Sequence, residues 1–242
     1  YKVDMSEALD SDPESYTSFN AFFTRQLKAD ARSVCQDKKQ LALPVDGAVS
    51  QLGDIKHDAI FQAKGHNYSL TTLLGGKPEL AKPFLNGKFA TIYLSPKDYH
   101  RIHMPLDGQL TDMIYVPGEL FSVSPLTAER VPGLFARNER VVAIFDTEIG
   151  KMAMVLVGAT IVASIETKWA GTVSPPAGKN IQHWQYPQKG DHSVFIKKGE
   201  EMGLFKLGST IVACFEADKI EFADLSAGHV TRLGDVFANI TK

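Results

Sequence analysis

The feature that most constrains this fold is a long succession of short, strand-like segments that begins near Leu43. β-Branched and aromatic residues fill these segments, and Gly, Pro, Asp or Asn separate them, as in VDGAVSQL, KFATIYL, GQLTDMIYV, RVVAIFD and STIVACF. This pattern is typical of β-strands. Long helical segments do not alternate with the strands, which disfavours a doubly wound parallel sheet. The sequence therefore predicts an α+β, mostly β fold: an antiparallel barrel or sandwich core with a few peripheral helices.

Two stretches have a helical pattern. Asp12 and Pro13 are suited to the start of a helix. The aromatic and aliphatic residues that follow at helical spacing are Tyr16, Phe19, Phe22, Phe23 and Leu27. Such a face either packs on the core or contacts lipid. A second, short helix is predicted from Ser69 to Gly75.

Composition limits the classes of protein that remain. The chain has 242 residues, 44% of them hydrophobic, and a formal net charge of -2. These values are those of an ordinary globular protein, and no repeat or linker divides it, so one domain over residues 1–242 is expected. The near-neutral charge argues against broad electrostatic capture of nucleic acid.

Cysteine usage and hydropathy exclude two further classes. Cys35 and Cys214 are far apart and lack metal-ligand spacing, which argues against a disulfide framework or a structural zinc site. The longest apolar run, residues 152–165, is broken by Gly158 and indicates strands rather than a transmembrane helix. Because the chain begins at Tyr1 rather than Met, a further N-terminal segment is expected upstream.

Three short stretches could carry chemistry: PVDG (44–47), DYHRIHMP (98–105) and LGST (207–210). Dinucleotide, P-loop, zinc-protease and hydrolase-elbow motifs are absent from the sequence. Taken singly, Asp46 is equally well a turn residue, and His100 or His103 an ordinary hydrogen-bonded histidine. Two histidines three residues apart could also bind a metal, but no third ligand cluster stands nearby. In a regular strand the two would point to opposite faces.

Together the three stretches supply the parts of a charge-relay triad, in the order Asp46, His103 and Ser209. Ser209 directly follows Gly208, and glycine tolerates strained turns and close approach. An activated Ser209 hydroxyl could therefore attack the carbonyl of Gly208 within its own chain.

The chain resembles the bacterial type of phosphatidylserine decarboxylase, a pyruvoyl enzyme that matures by self-cleavage. The resemblance covers nearly the whole chain. Its motifs are FNAFFTR (19–25), PVDG (44–47), DYHRIHMP (98–105), PGELFSV (117–123), FARNERVV (135–142), VGATIVASI (157–165) and FKLGST (205–210). Ala163 stands where the family pattern has glycine.

The resemblance implies a mechanism. Asp46 orients His103, His103 accepts the proton of Ser209, and the Gly208–Ser209 bond is cleaved into a β chain (1–208) and an α chain (209–242). Ser209 becomes a pyruvoyl group, so neither pyridoxal phosphate nor a metal is required. The pyruvoyl group forms a Schiff base with the amine of phosphatidylserine and acts as the electron sink for loss of CO2. His100 is then the candidate proton donor, and phosphatidylethanolamine is the product.

The resemblance also implies partners and a location. The two cleavage chains would stay together as a heterodimer, with a dimer of these a further option, at the cytoplasmic face of the bacterial inner membrane. No nucleic acid partner is expected. Segments 16–27 and 66–76 are the candidate membrane-contact surfaces.

Three other interpretations remain open at the level of sequence. A pyruvoyl decarboxylase of a free amino acid would also carry LGST. A serine hydrolase would use the same triad on external substrates and leave the chain intact. A non-enzymatic lipid carrier would use all three stretches structurally.

Overall fold

A computed structural model describes residues 3–160, 164–174, 178–206 and 209–241. It confirms the mostly β, antiparallel prediction, in the form of a sandwich. A nine-stranded sheet carries a four-stranded and a three-stranded sheet, and a fourth sheet is a two-stranded hairpin. The strands are β1 (Gln40–Ala42), β2 (Gly47–Asp54), β3 (Ala59–Ala63), β4 (His66–Ser69), β5 (Lys88–Leu94), β6 (Arg101–His103), β7 (Gly108–Val116), β8 (Arg140–Thr147), β9 (Gly150–Val157), β10 (Ile165–Thr167), β11 (Gly171–Ser174), β12 (Gln182–Gln185), β13 (Phe195–Ile196), β14 (Glu201–Phe205), β15 (Ser209–Phe215), β16 (Ile220–Phe222), β17 (Val230–Thr231) and β18 (Val236–Ile240).

The helices are short and lie at the edge of the sheets, as predicted. They are α1 (Phe19–Phe23), α2 (Leu70–Leu73), α3 (Pro78–Ala81), α4 (Pro125–Ala128) and α5 (Leu134–Arg137), with 3₁₀ turns at Pro13–Ser15 and Lys82–Phe84. The Ser69 side chain accepts a hydrogen bond from the backbone of Thr72 and so begins α2 at the predicted place.

The long aromatic helix predicted after Asp12 is wrong in its extent. Tyr16 is extended, which ends the 3₁₀ turn, and the Ser18 side chain caps a new helix by accepting from the backbone of Ala21. Only five residues, α1, then remain helical. Two local caps thus override the helical spacing of the aromatic residues.

The strand order places β15 inside the large sheet. Its order is β12-β7-β8-β9-β15-β5-β2-β17, with β13 also paired to β7. β15 pairs antiparallel with β5 on one side and β9 on the other. A central strand of this kind makes ladder hydrogen bonds along both edges.

The two faces of the nine-stranded sheet bury different sets of side chains. We call the set between this sheet and the two smaller sheets the interior cluster; it includes Ile102, Ile165 and Ile211. We call the set beneath the helices the outer cluster; it includes Leu73 and Val212. Successive residues of a strand alternate between the two clusters, so a residue's parity along β15 decides which cluster it joins.

The large apolar side chains of the segment 66–76, one of the two candidate membrane-contact surfaces, pack into the protein. Tyr68, Leu70, Leu73 and Leu74 are all buried in the outer cluster. In the described parts of the chain, the helices are too short and polar for any of them to cross a bilayer.

Candidate active site

Ser209 is the first residue of β15 and lies in the interior cluster. It pairs with Leu94, and both Leu94 and Ile211, two residues farther along, belong to that cluster. By the alternation of a strand, the Ser209 side chain therefore faces the interior. It is 0% exposed, and its Oγ has no hydrogen-bond partner in the described chain. Buried hydroxyls are rarely left in this state.

Parts of two of the sequence motifs fall outside the described residues. These are residues 207–208 of FKLGST, which include Gly208 before the proposed cleavage point, and residues 161–163 of VGATIVASI, which include Ala163. Ser209 is thus the described member of the Gly208–Ser209 pair.

His100 lies on the same side of the sandwich as Ser209. Its own carbonyl accepts from Phe205 at the end of β14, 3.0 Å away, and the residues after β14 lead to Ser209. A second connection starts at Leu94, the strand partner of Ser209, and reaches His100 through the turn at residues 95–98. Both chain segments next to Ser209 therefore converge on His100.

The environment of His100 fixes its protonation. Nδ1 lies 2.9 Å from the carbonyl oxygen of Asp98, and because a carbonyl only accepts, Nδ1 carries the hydrogen. Nε2 then holds a lone pair, is buried and has no partner among the described residues. Burial, helped by the nearby positive charge of Arg25, lowers the pKa of His100 to about 3. His100 is therefore a neutral imidazole whose Nε2 lone pair has no partner in the described chain.

His103 faces away from the interior cluster. It lies at the end of β6, where the neighbouring Ile102 is the residue that faces the interior. Nδ1 donates to the carbonyl of Gly199 at 2.8 Å, and the Tyr99 hydroxyl lies 3.3 Å from Nε2. Burial lowers the pKa of His103. Both ring nitrogens of this histidine therefore have partners.

Asp46 is held by a guanidinium and a backbone amide. Its Oδ1 accepts from Arg32 Nε at 3.1 Å and from the backbone of Leu233 at 2.8 Å, and its Oδ2 accepts from Arg32 Nη2. Arg32 also pairs with Glu7 at 2.8 Å. Burial opposes the charge of Arg32, but the two carboxylates outweigh it and raise the pKa of Arg32.

The structure thus brings the predicted residues together in two separate groups. Ser209 and His100 share the interior. Asp46 and His103 share a second region, in which the backbone of His103 donates to Pro44 at 2.9 Å, beside the PVDG turn. Across the described residues, no hydrogen bond links Asp46 to His103 or His103 to Ser209. The triad stays a prediction: Asp46 and His103 have other partners, and the Oγ of Ser209 has none among the described residues.

Sequence reasoning missed two residues that contact the His100 region. The ring of Phe23 lies 3.9 Å from that of His100, centroid to centroid. Arg25 donates through Nη2 to the carbonyls of Lys97 and Asp98 at 3.1 and 3.3 Å. Both residues belong to FNAFFTR. The arginine next to a run of aromatic residues is the sequence feature that could have indicated a role in the site.

The described residues contain no group of three or more His, Cys, Asp or Glu side chains that could hold a metal ion. The site itself presents a buried hydroxyl, that of Ser209, and a buried, neutral imidazole, that of His100. A hydroxyl of this kind becomes a nucleophile when a base takes its proton.

Comparison with known proteins identifies one family over nearly the whole chain. A family model described as phosphatidylserine decarboxylase matches residues 19–239. A phosphatidylserine decarboxylase proenzyme of Pseudoalteromonas atlantica is 78% identical over 242 residues, which are 100% of this chain and 85% of the relative. The proenzymes of Alteromonas mediterranea, 67% identical over 99% of this chain and 74% of the relative, and of Idiomarina loihiensis, 65% identical over 100% and 83%, are also similar. With its buried serine at the head of a central strand, the chain belongs to the phosphatidylserine decarboxylase family.

Proposed function

We propose that this protein cleaves itself at the Gly208–Ser209 bond and then converts phosphatidylserine to phosphatidylethanolamine and CO2. The observation that carries the proposal is the buried, unpartnered Oγ of Ser209 at the start of β15. In a member of this family, a serine with no hydrogen-bond partner in the protein core is most simply a group held ready to react. Its burial favours attack on its own chain.

The cleavage chemistry needs one base and one water. A base takes the proton of Ser209 Oγ, which attacks the carbonyl carbon of Gly208; the peptide C–N bond breaks and an ester forms. Loss of the α-proton of residue 209 then breaks the Cβ–O bond and leaves Gly208 as a carboxylate. The resulting dehydroalanine tautomerises and takes up water, ammonia leaves, and a pyruvoyl group remains at position 209.

We assign the base of the first step to His100. Its Nε2 holds a lone pair without a partner in the described chain, and it faces the same interior as Ser209. The proton that it takes up is then available for return to a later intermediate, which suits the donor role implied by the resemblance.

Asp46 and His103 remain the triad partners implied by the resemblance. Their proximity supports this: the charge of Asp46 is among the causes that act on the pKa of His103, in the raising direction, although burial is the larger cause and lowers it. For His103 to reach Ser209, its ring must leave Gly199 and Tyr99.

Position 209 fits a pyruvoyl group because Ser209, whose Oγ is buried, is the residue that would be converted into that group. A pyruvoyl carbonyl supplies an electrophile for the substrate amine and an electron sink for decarboxylation, so no external cofactor is needed. The chain's own contribution is to bury this position and to keep His100 neutral.

The strand pairing supports two cleavage chains that stay associated. β15 is paired over its length with β5 and over six residues with β9. The segment from residue 209 onward also contributes β17, paired with β2, and β18, paired with β1. Cleavage before β15 leaves all of these ladders intact.

A peripheral position at the membrane follows from the substrate, whose acyl chains remain in a bilayer. α1 supports this, because Phe19 is 56% exposed while Phe23 of the same helix packs on His100. An exposed aromatic side chain next to a site for a lipid headgroup is suited to the membrane interface. Release of the protein from phospholipid vesicles by Phe19→Ser, with cleavage unchanged, is the expected result.

Intact mass spectrometry of the purified protein tests the proposal. The C-terminal fragment should begin at position 209, lack a free amino group and be lighter than the encoded peptide by one ammonia. Borohydride reduction in the presence of phosphatidylserine should attach the lipid to that fragment. An ordinary serine terminus on an active enzyme, or an active enzyme with one intact chain, contradicts the proposal.

A further inference from the structure

Arg25 is a buried cation with unused hydrogen-bond donors. It follows α1 directly, is 5% exposed, and donates through Nη2 alone, to the carbonyls of Lys97 and Asp98. Its Nε and Nη1 groups are buried and have no partner in the described chain. A guanidinium normally uses its whole fork of N–H donors when it is removed from water.

The other two arginines of this region are paired with carboxylates. Arg32 binds Asp46 and Glu7, and Arg101 binds Glu201 at 2.9 Å. None of the ion pairs between described residues includes Arg25. Burial lowers the pKa of Arg25, against weaker raising effects of groups that include Asp46 and Asp98. A buried charge without a counter-ion is destabilising, and Arg25 has no carboxylate partner among the described residues.

Arg25 lies beside the proposed catalytic groups. The carbonyl oxygen of Asp98 accepts from both Arg25 Nη2, at 3.3 Å, and His100 Nδ1, at 2.9 Å. The two nitrogens are therefore no more than about 6 Å apart, since they share one acceptor. Phe23, two residues before Arg25, packs on the His100 ring. An anion held by Arg25 would lie next to His100.

We propose that Arg25 is the oxyanion-binding residue of the substrate site and holds the headgroup of the phospholipid through its Nε and Nη1 donors. This rests on the proposed function, which supplies an anionic lipid substrate and a cleavage step that alters the interior around position 209. The bound anion completes the ion pair that the chain itself leaves open.

The phosphodiester is the better of the two oxyanions that the headgroup offers. The carboxylate loses its charge as CO2 departs, so a salt bridge to it would stabilise the substrate more than the transition state and slow the reaction. The phosphodiester keeps its charge throughout and positions the headgroup without that penalty.

The test compares Arg25→Gln with a matched variant, Arg101→Gln. Arg101 donates to the carbonyl of Thr24 at 3.0 and 2.8 Å and so fastens the same N-terminal segment, one residue away from Arg25. Its loss loosens the segment but leaves the buried cation in place, and Glu201 keeps Lys168 as a partner. Each variant is assayed for cleavage by intact mass, and for KM and kcat with phosphatidylserine in detergent micelles.

We expect Arg25→Gln to cleave and to raise KM by about 10- to 100-fold, the range for a lost charge-assisted hydrogen bond. Arg25→Lys, which keeps the charge, should recover part of that loss. Arg101→Gln should leave KM within about threefold of the wild type, because it makes no contact with the anion.

Phosphatidylethanolamine, which has the phosphodiester and no carboxylate, separates the two sources of the oxyanion. Weaker inhibition of Arg25→Gln by this lipid, by a factor similar to the rise in KM, assigns the contact to the phosphodiester; unchanged inhibition with a raised KM assigns it to the carboxylate. An unchanged KM in Arg25→Gln, an equal rise in Arg101→Gln, or failure of both Arg25 variants to cleave overturns the proposal and makes Arg25 a structural residue. A wild-type protein that neither cleaves nor decarboxylates refutes the proposed function instead.

Discussion

Two polar regions of this molecule differ in how completely their groups are paired. In the first, which we call the paired region, Glu7, Arg32, Asp46 and His103 satisfy one another or nearby backbone groups. In the second, the unpaired region of Arg25, His100 and Ser209, each side chain keeps a buried donor or acceptor without a partner in the described chain. Buried polar groups are normally hydrogen-bonded, so the first region contributes rigidity and the second holds groups ready for a reaction or a ligand.

An unpartnered atom alone does not mark a site. Thr210 also has a buried hydroxyl without a partner among the described residues. By alternation along β15, Thr210 faces the outer cluster, as Val212 does, while Ser209 faces the interior. The difference in face separates a tolerated hydroxyl from a reactive one and supplies a matched control.

The largest expected effect is the loss of Ser209. Ser209→Ala removes both the nucleophile and the precursor of the pyruvoyl group, so one intact chain and no release of CO2 are expected. Thr210→Val, the adjacent control, should cleave at the wild-type rate because its hydroxyl faces the other side of the sheet. Two fragments from Ser209→Ala on a denaturing gel would contradict the role of Ser209 as the nucleophile, and with it the distinction between the two regions.

The two histidines should differ in their effect on cleavage. His100→Gln keeps much of the side-chain volume but removes the imidazole base, and should slow cleavage by about 100-fold or more. His103→Gln should slow it less, because both nitrogens of that ring are already engaged. The rates can be followed by gel during cell-free synthesis. A greater slowing for His103→Gln would favour the Asp46–His103–Ser209 triad over our assignment.

Stability should respond most to the paired region. In the uncleavable Ser209→Ala background, Asp46→Ala leaves Arg32 with half of its hydrogen bonds and should lower the free energy of unfolding by about 3 kcal/mol. Asp54→Ala is the control: it breaks an ion pair with Lys88 in which the Asp54 side chain is 71% exposed, and should cost below about 1 kcal/mol. Equal losses in urea unfolding would mean that the Asp46 pair is no stronger than a surface pair.

The smallest predicted effect is a dependence of stability on pH through His100. Its pKa is about 3 in the folded protein and about 6.5 in the unfolded chain. The unfolded state thus binds more protons between these values, so the free energy of unfolding falls as the pH drops below about 6.5. From pH 7 to 5 the contribution is about 2 kcal/mol. In the Ser209→Ala background, urea unfolding of His100→Gln should lose that much less than its parent; equal losses would place the imidazole in water.

The sequence predicted the fold class because alternation is a local signal. KFATIYL and GQLTDMIYV coincide with β5 and β7. The sequence did not predict which strands share a sheet, because such pairings join distant parts of the chain. β1, for example, pairs with β18 near the other end of the chain. The short strands β12 and β17 carry too few residues for a detectable period.

The site was predictable only in part, for a related reason. LGST identifies Ser209, and strand alternation indicates that His100 and His103 oppose one another, but not which of them faces Ser209. That choice depends on Ile102 joining the interior cluster, a packing outcome between β6 and distant strands. The contact of Phe23 with His100 spans more than seventy positions of sequence and has no local signature.

The central position of β15 has a consequence for the lifetime of the enzyme. After cleavage at Ser209 two chains would have to fold together, because the short α chain contributes strands to two sheets and pairs there with strands of the longer chain. An unfolded molecule could not recover by itself: its pieces would have to find one another in solution, and a pyruvoyl terminus can no longer be rejoined to Gly208. The mature protein would therefore persist by the height of its unfolding barrier rather than by a reversible equilibrium, and each molecule could be assembled only once.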